Sequence, residues 1–485
     1  MAPAVLALLV VAGLLGSLGS TGVRAADRGS FANPPPIVSP PPTPDGGGGR
    51  GGGEPVVPSP TPIAAPTASP TPTPIVTPSP TGPTTLGPSV TVHGRGYGHG
   101  VGLSQYGARG RALDGATAAE ILAHYYRGTS LGSVSLDTAV RVRVLYGFKP
   151  SGADPLVLIG RRAPWTIDGI ATVFPADARL EVRATATKGP GPAYAWRATV
   201  SGPGGIVLHD ALIATFRVRG ATTSAVIQVE SRTSTYDTYR GALRVGLSTS
   251  AGTASVTNEL TMERYLRGVV PAEMPSTWPT AALQAQSIAA RSYAARRLRP
   301  GVSYFDVVDD TSSQVYLGVL GEQATTTAAI DATAGVVLRS GAEIANAMFH
   351  STGGGATEHN ENVYVSATGA KVAGPVSYLR GSSDRRPYGT AYDATSPFAT
   401  LKTATYSRSQ LSAWFAADAR TNVGALSALD LRDRGVSGRL LSVTLVGSTG
   451  RRTVSGDVFR SIFNAARPAS DQLLRSTLFD LAPIP

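Results

Sequence analysis

Residues Met262 to Leu298, MERYLRGVVPAEMPSTWPTAALQAQSIAARSYAARRL, set three prolines (Pro271, Pro275 and Pro279) between two helical patterns. Met262, Tyr265, Leu266 and Val269 recur at i, i+3, i+4 and i+7, an apolar helix face that Pro271 is expected to end. Pro279 fits the first turn of a second helix, where a missing N–H has no partner to lose. That helix is expected to run to about Leu298, before Pro300-Gly301. Its small residues, Ala281, Ala282, Ala285, Ala289 and Ala290, allow close backbone approach. A chain with this passage must fold so that two helices meet at a corner. The acid in that corner, Glu273, faces the positive end of the second helix's dipole. From the residues alone it is either a solvated loop acid or a candidate catalyst.

The passage resembles the signature of the SpoIID/LytB family, bacterial cell-wall proteins with a VVPAEMP-like turn. Further blocks follow in the family's order: Asp309-Asp310-Thr311-Ser312-Ser313-Gln314-Val315-Tyr316, then Phe349-His350-Ser351-Thr352-Gly353-Gly354-Gly355-Ala356-Thr357-Glu358, Glu361-Asn362-Val363-Tyr364, and Tyr378-Leu379-Arg380. The resemblance covers roughly Tyr239 to Asp480. It implies that Glu273 is the catalytic acid of a lytic transglycosylase acting on peptidoglycan.

A second block, His93 to Ala108, reads HGRGYGHGVGLSQYGA. It is not a phosphate loop, because no Gly-Lys-Ser/Thr follows. Ser104 with His99 lacks a nucleophile elbow. Read from composition, it is a tight, glycine-permitted backbone lining a cleft. In the more familiar family members a GHGVGMSQYGA-like segment follows the C-terminal LRST-F strand, whereas here it comes first. The order is permuted, and it requires Leu474–Leu481 to lie beside Ser89–His93 in space.

The expected fold class is α+β, a mixed SpoIID-like catalytic domain with a β-rich inserted subdomain. The expected organisation is a signal peptide over 1–25, a disordered Pro/Gly/Ser/Thr-rich linker over 26–88, the GHG-containing segment over 89–136, the β-rich insertion over 137–238 and the catalytic core over 239–485. The signal peptide rests on the apolar run Ala4–Leu18 and the Val23-Arg24-Ala25 site. It implies a secreted or wall-associated protein; an uncleaved anchor is the alternative. The linker rests on PSPTP-like repeats and the Gly46–Gly53 tract, which cannot bury enough apolar surface to offset ordering entropy. The insertion rests on β-branched runs such as Arg141–Tyr146, Leu156–Ile159, Leu180–Ala184, Ala195–Val200 and Ala225–Val229. Thr117 and Glu120 form a capping box for a helix stopped at Gly128, and Leu411–Ala417 is a further helical pattern.

The 485 residues contain no Cys, so stability comes from a core without disulfides and thiolate metal sites are excluded. No cofactor or metal is expected. The resemblance brings zinc near His350, Glu358 and His359 in some members, but through Cys ligands that this chain lacks. The net charge of +11 favours polyanionic partners such as anionic wall polymers. Nucleic acid is set aside, because no aromatic/basic stacking motif, zinc finger or basic tail is present.

By the resemblance, Glu273 protonates the leaving oxygen of the bond between N-acetylmuramic acid and N-acetylglucosamine, and the C6 hydroxyl attacks to leave a 1,6-anhydro end. One carboxylic acid then suffices, where a hydrolase uses two. Arg291, Tyr378 and Arg380 are assigned to substrate contact. Gln284 stands where many members have Lys, and Gly353, Gly354, His99 and Gln105 are assigned to the same cleft. Asp309 and Asp310 are read as a turn. Peptidoglycan glycan strands are the expected substrate. The alternative is a non-catalytic LytB-like enhancer that binds the wall and acts through a partner amidase.

Overall fold

The computed structural model describes residues 82–188 and 190–484. The expected signal peptide and residues 26–81 of the linker lie outside the described residues. The end of the expected linker is ordered: Thr84–Thr85 is a strand paired antiparallel with Leu426–Asp430, and Leu86 is buried. The boundary therefore falls before Thr84. Among the described residues, no helix is long and apolar enough to cross a membrane.

The protein is α+β. A seven-stranded sheet runs in the order 307–308, 139–148, 254–261, 242–247, 216–220, 165–167, 173–174, and a six-stranded sheet in the order 207–212, 194–201, 179–186, 156–161, 226–229, 238–239. Strand Ala139–Phe148 shows why these runs fold so: Val140, Val142 and Val144 point into the core while Arg141 and Arg143 alternate with them on the wetter face. Inner residues of both sheets share one core with helices α1 (Gln105–Leu113), α2 (Ala118–Tyr125), α3 (Met262–Glu273) and α4 (Thr280–Ala295). The expected capping box at Thr117 and Glu120 opens α2.

The expected β-rich insertion over 137–238 shares this sheet with the expected catalytic core. Strand Ala139–Phe148 sits inside the sheet, hydrogen-bonded on one side to Ala254–Thr261 and on the other to Val307–Val308, and Ala254–Thr261 leads directly into α3. The β-rich run and the helices beside Glu273 are one hydrophobic body, because strands that look local in sequence find their partners across the supposed boundary.

A second core joins Leu86, Val90 and Val92 to Tyr406, Leu411, Phe415, Phe459, Phe463 and Phe479. Phe459 stacks between Phe415 at 4.6 Å and Phe479 at 5.3 Å. The N-terminal segment closes this lobe. Strand His93–Gly94 is central, pairing with Leu401–Lys402 on one side and Phe479–Asp480 on the other. The two ends meet, as the permuted order requires.

Candidate active site

Helix α3 does not stop at Pro271. It carries the proline inside and continues to Glu273, with the Met274 N–H closing the last turn on the Val270 carbonyl at 2.9 Å. The proline removes the N–H that would bond the Arg267 carbonyl, yet the helix continues past it. Glu273 is thus fixed on a rigid element and not on a free corner. Pro279 is the N-cap of α4, which ends at Ala295.

The GHG segment delivers the acid's partner. Gly98, Gly100 and Gly102 all have positive φ, and a Cβ on Gly102 would lie 2.0 Å from the Met348 carbonyl oxygen, so only glycine lets the chain run this close. Strand Leu103–Ser104 then pairs parallel with Phe349–His350, and Ser104 caps α1, its Oγ accepting from the N–H groups of Gly107 at 3.2 Å and Gly353 at 3.1 Å. Gln105, the first residue of α1, is buried and donates from Nε2 to Glu273 Oε2 at 3.0 Å.

The other oxygen, Oε1, is sealed from solvent and makes no hydrogen bond among the described residues. Burial pushes the Glu273 carboxyl up to about 7; the Gln105 amide and the Val315 backbone N–H pull the other way and do not cancel it. The two turn acids do not share the site. Asp309 pairs with Arg232 at 2.5 Å, and Asp310 accepts from the Ser312 N–H at 2.8 Å.

Aromatic surface flanks the pair. Tyr106 follows Gln105, and its ring meets that of Trp278 edge-on at 4.8 Å, with the Arg109 guanidinium 5.7 Å from the Trp278 ring. On α4, Tyr293 feels the Glu273 charge. Its ring lies beneath the Arg297 guanidinium at 3.3 Å; Arg297 donates to Asn346 Oδ1 at 2.9 Å, and the Asn346 N–H donates to Tyr378 Oη at 2.9 Å. Tyr106, Trp278, Tyr293 and Arg297 were not singled out from the sequence. The available signal was Trp278 lying five residues after the acid and the i, i+4 pairing of Tyr293 with Arg297.

Several expected substrate contacts are otherwise engaged. Arg291 is completely buried, forked onto Glu263 at 2.9 and 2.6 Å and donating to the carbonyls of Val336 and Ile330. It ties α4 to α3 and does not face a ligand, because the helix face it occupies points into the core. Arg380 is forked onto Glu361 at 2.7 and 2.8 Å. The Gly353 N–H goes to Ser104 and that of Gly354 to Asp393 Oδ2 at 2.6 Å, so these amides hold the loop together and are not offered to a substrate. Gln284 is half-buried on α4 without a side-chain hydrogen bond among the described residues. His99 is buried, its Nδ1 accepting from the Val101 N–H at 3.0 Å, and burial first and Arg439 second lower its pKa to about 4.

The residues considered for a metal diverge. His350 Nδ1 faces the Val101 carbonyl, His359 Nδ1 accepts from the Gly381 N–H at 2.8 Å, and Glu358 is hydrogen-bonded to Ser437. Among the described residues no group of three such side chains could hold a metal ion.

Residues 250–339, which contain α3, Glu273 and α4, match the SpoIID family, described as stage II sporulation protein. This stretch is of the SpoIID/LytB family. The chain is 30% identical over 162 residues to the amidase enhancer of Bacillus subtilis (strain 168), a stretch that is 33% of this chain and 21% of that protein. It is 51% identical over 45 residues to stage II sporulation protein D of the same organism, 9% of this chain and 13% of that one. An uncharacterized protein of Brachyspira hyodysenteriae is 36% identical over 114 residues, 23% of this chain and 31% of its own. The chain thus spans less than a third of each of these relatives.

Proposed function

We propose that this SpoIID/LytB protein is a peptidoglycan lytic transglycosylase with Glu273 as its single general acid/base. The observation that carries the reading is a carboxyl whose Oε1 is unengaged, whose Oε2 is held by Gln105 and whose pKa is pushed up to about 7. An acid poised near neutrality gives up and regains a proton readily. In the proposed step the protonated Glu273 gives its proton to the oxygen linking N-acetylmuramic acid to N-acetylglucosamine, and that C–O bond breaks. The muramyl C6 hydroxyl oxygen bonds to C1, and its proton returns to Glu273. The product is a 1,6-anhydro end and the acid is restored, so neither water nor a second carboxylate is needed. Tyr106 and Trp278 offer apolar ring faces to sugar rings, and Tyr378, Asn346, Arg297 and Tyr293 would border the other side.

The proposal extends to place and partners. The apolar run Ala4–Leu18 and the basic charge fit export to a wall rich in anionic polymers. A second reading, a non-catalytic enhancer of a cell-wall amidase, is favoured by the 30% identity to a protein named amidase enhancer.

Mass spectrometry of fragments released from purified glycan strands tests the choice. Anhydro-ended products made by the wild type and not by Glu273→Gln are expected. Their absence, with stimulation of an added amidase, would favour the enhancer.

A further inference from the structure

A small cleft lies where the GHG segment meets the C-terminal lobe. Gly98, His99, Arg439, Arg460 and Arg475 are among the residues that line it. Three guanidinium groups share the opening with two carboxylates, Glu358 and Asp457, which leaves the lining net positive.

Arg439 is the unusual one. It is 1% exposed, and its Nη1 donates to the Ala356 carbonyl at 3.2 Å, but Nε and Nη2 are buried and make no hydrogen bond among the described residues. No carboxylate lies within 4.0 Å of it among those residues. Burying an arginine without a contact partner is strongly unfavourable. Burial, opposed by the more distant Glu358 and Asp393, lowers its pKa to about 10, so it stays charged at neutral pH.

The carboxylates that line the cleft are engaged elsewhere. Glu358 lines the same cleft, yet its oxygens accept from five neutral donors: the N–H groups of His359, Val436 and Ser437, the Asn362 amide and the Ser437 hydroxyl. Asp457 is taken up by Arg460 at 2.6 Å. The Arg475 guanidinium lies over Tyr97 at 4.7 Å and Phe398 at 5.1 Å, with its buried Nε making no hydrogen bond among the described residues. The loop is also shaped for the cation: a Cβ on Gly100 would lie 2.4 Å from Arg439 Cζ, so glycine there lets the guanidinium lie flat against the main chain.

We infer that this cleft is an oxyanion-binding subsite, in which Arg439 and Arg475 receive a carboxylate or phosphate group of a wall polymer. Planar guanidinium groups suit both anions, which accept paired hydrogen bonds from the fork. The subsite is separate from the Glu273 carboxyl, although one segment serves both: Gly98 and His99 line the cleft, and Gln105 reaches the acid. Its ligand would anchor the chain on the wall whether or not Glu273 cleaves glycan.

The test is calorimetric titration of the full chain carrying Glu273→Gln, so that turnover plays no part. The probes are glycerol 3-phosphate, N-acetylmuramic acid and, as the neutral control, N-acetylglucosamine. At least one anion is expected to bind saturably and to be displaced by the other, while the neutral sugar does not displace it. Tighter phosphate binding identifies a phosphodiester polymer as the source; tighter muramic acid binding identifies the glycan's own carboxylate. Arg475→Gln should weaken binding about tenfold. Arg439→Gln should abolish it, and if that variant does not fold, the Arg475→Gln titration decides. No saturation by either anion at about 10 mM, or affinity unchanged in the Arg475 variant, overturns the inference.

Discussion

Gln105 and Glu273, 168 residues apart in sequence, meet through a 3.0 Å hydrogen bond from the Gln105 side-chain amide to Glu273 Oε2. The contact joins the permuted N-terminal segment to the helix that ends in the acid. It fixes the rotamer of a carboxyl that would otherwise swing.

Glu273→Gln keeps the shape and removes the proton. Glycan cleavage is expected to vanish while the circular dichroism spectrum is retained. Continued turnover would place the acid elsewhere.

The raised pKa also sets a pH dependence of stability. The unfolded chain loses the Glu273 proton near the ordinary carboxylate value of 4.5, whereas the folded chain holds it to about 7. Between those values the folded state binds more protons, so stability falls as pH rises from about 4.5 to 7 and levels off above. Glu273→Gln removes this loss. In urea titrations its advantage over the wild type should grow across that window to roughly 1–3 kcal/mol, and a gap that is flat with pH would contradict the assignment.

Gln105→Leu deletes a donor that favours the ionised carboxylate. The acid's pKa should rise further, moving the alkaline limb of the pH–rate profile upward, with kcat lower by about tenfold from lost orientation. A profile that does not move would show that the bond is incidental.

Arg291→Ala leaves Glu263 partly buried without its counter-charge. It should lower stability by about 3–5 kcal/mol, measured by chemical denaturation, with KM of the folded fraction unchanged. A selective rise in KM would return Arg291 to the substrate.

Trp278→Ala removes one ring face beside the acid. KM for glycan should rise by up to about tenfold with kcat nearly constant, and kinetics on strands of defined length would show it.

Much of this arrangement was legible in the sequence because it is local. The strand runs in 139–229 and the capping box at Thr117 are set by periodicity and capping chemistry, whereas helix α3 runs past Pro271 to carry Glu273 itself. The family resemblance added that Gln105 and Glu273 belong to one domain, and the ends Ser89–His93 and Leu474–Leu481 do lie together. What sequence could not supply was partnership. Arg291 and Arg380 read as ligand contacts, yet each found a glutamate, Glu263 and Glu361, whose pairing depends on how helices stack. The β-rich run shows the same dependence, since strand Ala139–Phe148 takes its neighbours from residues 254–261 and 307–308. A chain begun at Tyr239 therefore lacks an interior strand, and appending residues 89–131 after Leu481 cannot restore it.

Strand His93–Gly94 has a consequence in time. It precedes every residue of the site in the chain, whereas Phe479–Asp480, which pairs along one of its edges, follows them all. Gln105 sits just beyond this strand, so the segment that seats it against Glu273 is secured only once Phe479–Asp480 has paired. A chain cut before Leu474 should hold its acid without a settled partner, so docking of this late strand arms the site.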